Sequence, residues 1–156
     1  MERAEPMERV LAGDVGFGKT EVALLAAFRA ALNARQTALM CPTTILADQH
    51  FEVFKERLSG FGGEVARLTR LESALRAADI LKKLENGSID IVIGTHKILG
   101  ENLVFKNLGL LIIDEEQKFG VRHKEHFKKI FPKLDVLTLT ATPIPRTLQL
   151  ALSGIR

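Results

Sequence analysis

"LGLLIIDEE", residues 108–116, runs through apolar side chains without alternation and ends in three carboxylates. A strand with one wet face alternates apolar and polar residues, whereas a strand covered on both faces reads as an unbroken apolar run. The stretch therefore predicts a strand buried in a parallel sheet, with Asp114, Glu115 and Glu116 delivered at its carboxyl end. Short apolar runs and longer amphipathic segments take turns on either side of it. "RVLAG" (9–13), "TALMCP" (37–42), "EVARLT" (64–69), "DIVIGT" (90–95) and "DVLTLTAT" (135–142) read as further strands. Segments 20–34, 44–60, 71–87, 120–131 and 145–154 read as helices. In 44–60, Leu46, Phe51, Phe54 and Leu58 fall near helical spacing and Gly60 is a stop. In 71–87, Glu72 and Arg76 stand at i, i+4 and Asn86-Gly87 closes the helix. Pro145 stands near the start of the last helix. Strands alternating with helices imply an α/β fold, a mostly parallel sheet with helices on both faces, in a single domain over 1–156.

The chain has 156 residues, 46% of them hydrophobic, which suits one domain with a real core. No apolar run approaches the roughly 20 residues that span a bilayer. The start, "MERAEPMERV", has no apolar signal segment, so a reducing, cytoplasmic setting and no membrane partner are expected. One cysteine, Cys41, excludes an internal disulfide and a multi-cysteine zinc site, and its place at the end of an apolar run suggests inert core. A net charge of +3 permits nucleic acid as a partner without demonstrating it. Tyr and Trp are absent, which excludes a base-stacking surface built on them.

Upstream of the acidic strand, "GDVGFGKT" (13–20) fits G-x-x-x-x-G-K-[ST] through Gly13, Gly18, Lys19 and Thr20. It follows a predicted strand and opens a predicted helix, the context this motif requires. In such a loop, Gly13, Asp14, Val15, Gly16, Phe17, Gly18, Lys19 and Thr20 wrap backbone N–H groups around phosphate oxygens, and the helix N-terminus adds partial positive charge. Lys19 would reach the outer phosphates and Thr20 would hold Mg²⁺. The bland alternative is a tight turn with an incidental lysine. The pattern is not G-x-G-x-x-G, which disfavours a dinucleotide fold. An Asp at the end of the acidic strand can hold Mg²⁺ through water, and an adjacent Glu can deprotonate an attacking water. An acidic cluster alone reads as a solvated turn; the phosphate loop upstream turns the reading toward a metal site.

"DEEQ" (114–117) resembles the DExH/Q box of superfamily 2 helicases. "PTTILADQH" (42–50) is similar to their motif Ia, "GTH" (94–96) to a later DNA-facing motif, and "TATPIPRTL" (140–148) to motif III, in matching order and spacing. "GDVGFGKTEVA", "IGTHKIL", "LLIIDEEQKFGVRHKE" and "LTLTATPIPRTL" together look like the first motor lobe of the bacterial transcription-repair coupling factors, with the RecG branch-migration helicases close behind.

That resemblance covers nearly the whole chain and implies a RecA-like P-loop fold that uses ATP and Mg²⁺. It implies that Lys19, Asp114, Glu115 and Gln117 form the catalytic set, with Asp114 serving Mg²⁺, Glu115 as base and Gln117 sensing the γ-phosphate. Thr140, Ala141 and Thr142 would couple that site to the DNA groove. Thr43, Thr44 and Gln49, then Arg70, then Thr95, His96 and Lys97 would face the DNA backbone. Thr44 serves equally as a helix cap after Pro42, Arg70 as a loop charge, and His96 as a structural hydrogen-bonder. Arg122, His123, Lys124, Lys128 and Lys129 read as a solvated helix face, with DNA or a protein partner as the sharper option.

The implied partners are double-stranded DNA, a second motor lobe and, in the parent protein, RNA polymerase and nucleotide-excision repair proteins. The second lobe would supply the arginine finger, so the chain alone is expected to have weak or no ATPase. The family's upstream adenine-contacting segment has no counterpart among these residues. A RecG-like fork-remodelling lobe and a non-catalytic DNA- or protein-binding module are the alternatives. A small-molecule P-loop kinase would leave "TATPIPRTL" unexplained.

Overall fold

The computed structural model describes residues 5–13, 18–100, 102–115 and 121–141. Asp14 to Phe17, Glu116, Gln117, Thr142 and the helix expected over 145–154 lie outside the described residues. Six strands form one sheet: β1 (Glu8–Ala12), β2 (Gln36–Met40), β3 (Val65–Leu68), β4 (Ile91–Gly94), β5 (Leu108–Asp114) and β6 (Asp135–Thr140). Their order is β1-β6-β5-β2-β4-β3, and every pairing is parallel. Helices α1 (Lys19–Leu32), α2 (Thr44–Leu58), α3 (Ala74–Glu85) and α4 (Val121–Ile130) connect them.

The unbroken run that predicted a doubly covered strand behaves as one: Leu108 to Ile113 of β5 are all buried. Leu110 and Ile112 belong to a core shared with Ala23, Ala27 and Ala30 of α1 and Phe51 and Phe54 of α2. Leu111 and Ile113 belong to a second core, shared with Ile80 and Leu84 of α3 and Phe127 of α4. Each such Leu or Ile contributes about 1.5–3 kcal/mol by leaving water. Two cores with opposite parities of one strand are what a parallel sheet with helices on both faces requires.

Three local readings change. The helix expected over 71–87 begins at Ala74, because the Ser73 hydroxyl accepts from Arg76 N at 3.3 Å and caps it. Glu72 lies before that cap. It still pairs with Arg76 at 3.2 Å, but it is buried and also accepts from Arg67 Nε at 2.8 Å. α2 ends at Leu58, and Ser59–Phe61 tighten into a 3₁₀ turn. The basic helix α4 is only partly a solvated face: Lys124 and Lys128 both pair with Glu8 of β1, and His123 packs edge-on against His96 at 6.2 Å between ring centroids. No described helix is long and apolar enough to cross a membrane.

Candidate active site

In a parallel sheet the carboxyl ends of all strands open on one edge, and ligands of such folds bind there. The strand order divides that edge. β1, β6 and β5 are neighbours, so Gly13, Thr140 with Ala141, and Asp114 with Glu115 come side by side. Backbone bonds tie the three segments together: Gly13 N donates to Thr140 O at 3.1 Å, and Glu115 N donates to Leu139 O at 2.8 Å. The Glu115 carboxylate accepts from Ala141 N at 3.2 Å. Glu115 sits at φ 58, a left-handed backbone that costs a non-glycine residue about 1–2 kcal/mol. Such strain persists only where the surroundings hold it, and it gathers at functional sites.

Gly18 precedes α1 as its N-cap, at a φ of 70 that is open to glycine and strained for other residues. No described side chain caps this helix, so its first turn presents uncapped backbone amides and the positive end of the dipole. Lys19 follows, its ammonium donating to Gly13 O at 2.7 Å across the mouth of the loop. An anion at the helix start would compete with that carbonyl for the same ammonium.

A cavity of about 500 Å³ lies between these parts. Gly18, Lys19 and Thr20 line it from α1, and Asp114, Glu115 and Ala141 from the sheet. Leu46, Gln49, His50 and Val53 close it from α2. Positions 46, 49, 50 and 53 fall at i, i+3, i+4, i+7, one stripe of a helix. Gln49, which the sequence resemblance assigns to the DNA backbone, is among the residues that line this cavity. His50 was missed by sequence reasoning altogether. It is buried, and its Nε2 lies 2.9 Å from Asp114 Oδ2. The stripe is the signal that identifies it.

The other half of the edge carries most of the remaining expected residues. Thr43 and Thr44 follow β2, Arg70 follows β3, and Thr95, His96 and Lys97 follow β4, in the adjacent-strand order β2-β4-β3. Thr43, not Thr44, caps α2, its hydroxyl accepting from Leu46 N at 3.3 Å. Arg70, His96 and Lys97 are exposed, and Lys97 reaches back to Thr69 O at 3.3 Å.

The donor set fits a nucleotide with Mg²⁺. The Thr20 hydroxyl and Asp114 carboxylate are hard oxygen donors on one cavity, and Mg²⁺ takes few protein oxygens while keeping waters. Lys19 and the uncapped start of α1 supply the positive side for phosphates.

The strand order, the glycine-led helix and the acidic strand end define a RecA-like P-loop lobe. The model of the DEAD/DEAH box helicase family matches residues 4–151, and the chain belongs to that family. It is similar over all 156 residues to a transcription-repair-coupling factor of Bacillus subtilis, at 56% identity, and to one of Staphylococcus epidermidis, at 54%. The chain spans 13% of the length of each of these relatives. Among solved structures, RecG bound to a three-way DNA junction matches with a TM-score of 0.79 and 45% identity, over 96% of this chain and 20% of that one.

Proposed function

We propose that this chain is the ATP-binding lobe of a translocase that couples ATP hydrolysis to movement on double-stranded DNA in transcription-coupled repair. One observation carries the reading: three segments distant in sequence, 18–20, 114–115 and 139 with 141, meet around one cavity with lysine, hydroxyl and carboxylate groups in hand. In this reading Lys19 and the start of α1 bind the outer phosphates, and Thr20 and Asp114 hold Mg²⁺, which neutralises charge developing on them. Glu115 orients a water and takes its proton. Thr140 and Ala141, bonded to Gly13 and Glu115, carry changes at the cavity toward the outer edge of the sheet. The DNA backbone lies along Thr43, Thr44, Arg70, Thr95, His96 and Lys97. Hydroxyl, amide and cationic groups there suit contacts that read no sequence.

The partners proposed for the longer protein are a second motor lobe, RNA polymerase and excision-repair proteins. Identity of 54–56% to the coupling factors over the whole chain favours this over the fork-remodelling alternative, for which the RecG match speaks. Without an arginine finger from a second lobe, turnover by this chain is weak or absent, since that group is worth about 10³–10⁵ in rate.

Calorimetric titration of Mg²⁺-ADP and Mg²⁺-ATP into the pure chain tests the reading, with Lys19→Ala as control. Saturable binding that disappears in the variant is the expected result. No heat at millimolar nucleotide would leave the cavity without its proposed ligand.

A further inference from the structure

The only cysteine of the chain has no part in the chemistry above, yet it borders it. Cys41 follows β2 and is fully buried, its amide donating to Gly94 O at 2.8 Å. β2 and β5 are neighbours with Met40 opposite Ile113, so Cys41, just past β2, and Asp114, the last residue of β5, stand at the same level. α2 lays His50 over that point. One donor atom from each of Cys41, His50 and Asp114 lies within 4.8 Å of the other two. Around a tetrahedral Zn²⁺, with Zn–S about 2.3 Å and Zn–N or Zn–O about 2.0–2.1 Å, neighbouring donors stand roughly 3.3–3.6 Å apart. Adjustments on the order of 1 Å therefore convert the present cluster into three ligands of one ion.

We propose that Cys41 Sγ, His50 Nε2 and Asp114 Oδ2 form a site for a thiophilic divalent cation of the Zn²⁺ type, and that its occupation withdraws Asp114 from nucleotide-bound Mg²⁺. The donor set is mixed sulfur, nitrogen and oxygen, which suits Zn²⁺ better than Mg²⁺, a hard cation that prefers oxygen. His50 and Asp114 line the cavity, so an ion has a path in. The thiol arrives protonated, because burial and then the Asp114 charge push it well above its ordinary range. The ion displaces that proton to solvent as the thiolate binds. The ligands come from two adjacent strands and a packed helix, so the site is largely built before the ion arrives.

The inhibitory half of this proposal rests on the reading of Asp114 as the Mg²⁺ carboxylate; the site itself does not. Two measurements keep them apart. Co²⁺ added to the pure chain should give one equivalent of tetrahedral absorption with a sulfur-to-metal charge-transfer band. Because the chain has one cysteine, that band reports Cys41 and nothing else. It should vanish in Cys41→Ser and Cys41→Ala, each checked for folding by circular dichroism. A Co²⁺ spectrum without the sulfur band in the wild-type chain overturns the site, whatever the variants do. Next, Mg²⁺-ADP affinity is measured at buffered free Zn²⁺. A loss of at least tenfold is expected in the wild type and none in the cysteine variant that folds. An unchanged affinity with the sulfur band present overturns the inhibition while the site stands. Failure of Mg²⁺-ADP to bind without Zn²⁺ overturns the functional reading, and with it the inhibition, and leaves the Co²⁺ result to decide the site.

Discussion

The backbone amide of Ala141 donates to Glu115 Oε1 at 3.2 Å, and so the carboxylate beyond β5 is fastened to the residue that leaves β6. Glu115 N is bonded to Leu139 O at 2.8 Å, which fixes both ends of the residue to one strand. A shift of the 140–141 segment must therefore move this carboxylate relative to the cavity. Glu115→Gln keeps an oxygen for Ala141 and removes the proposed base. Mg²⁺-ADP affinity should stay within about threefold of wild type. In a protein that joins this lobe to its second lobe, kcat should fall by about 10²–10⁴, the usual worth of general base catalysis. Equal losses in binding and turnover would assign Glu115 to ligand binding instead.

His50 should act on the metal through Asp114. Its ring holds Oδ2 at 2.9 Å from a buried position, so it sets where the carboxylate points. Partners of metal-ligating groups are typically worth 10–100-fold in metal affinity. His50→Ala should raise the Mg²⁺ concentration needed for half-maximal nucleotide binding by about tenfold. Binding measured in EDTA should be unaffected. A uniform loss with and without Mg²⁺ would mean that the variant has only disturbed α2.

Glu8 ties the edge strand β1 to α4. Hydrogen bonds from Lys124 and Lys128 hold its carboxyl below the ordinary glutamate range. A carboxylate whose folded value is depressed stabilises the fold above its unfolded value. That contribution is lost as pH falls through the folded one. The Glu8 carboxylate is half exposed and screened, so the effect is small, about 0.5 kcal/mol. Glu8→Gln should be slightly less stable than wild type at pH 7 and low salt. The two melting curves should converge below pH 4.5 and in 1 M salt. A difference that persists in acid would point to packing rather than charge.

Legibility from the sequence followed the range of the interaction. The doubly buried strand was readable at 108–113 because hydrophobic pattern is local, and the glycine-led start of α1 because Gly18 and Lys19 adjoin the helix they open. The strand order was not readable, since it depends on crossovers that no single segment encodes. The His50–Asp114 bond joins residues 64 apart in sequence, so neither end announces the other. The cavity stripe of α2 was not readable because it mixes Leu46 and Val53 with Gln49 and His50. It therefore lacks the apolar contrast that marks a buried face. Thr43 and Thr44 are chemically alike, and only backbone geometry shows which one caps the helix.

Helix ends show the same limit and supply the last prediction. α3 closes at Asn86 and Gly87, with Gly87 at φ 81, Gly87 N on Leu84 O and Ser88 N on Lys83 O. α1 closes with the same bonding: Ala34 N donates to Ala31 O and Arg35 N to Ala30 O, both at 2.9 Å. The residue at the left-handed position is Ala34, at φ 54. The first end was readable because it carries glycine; the second carries none and is strained. Left-handed backbone costs a residue with a Cβ about 1–2 kcal/mol, and glycine gives back part of that gain through a freer unfolded chain. Ala34→Gly should therefore stabilise the domain by about 0.5–1 kcal/mol and raise Tm by about 1–4 °C. Gly87→Ala should do the reverse, its Cβ strained at φ 81 and the flexible Lys106 side chain having to move aside from 2.7 Å. Thermal unfolding of both variants checks the pair. A lower Tm for Ala34→Gly would mean that the unfolded-chain term outweighs the strain at this helix end.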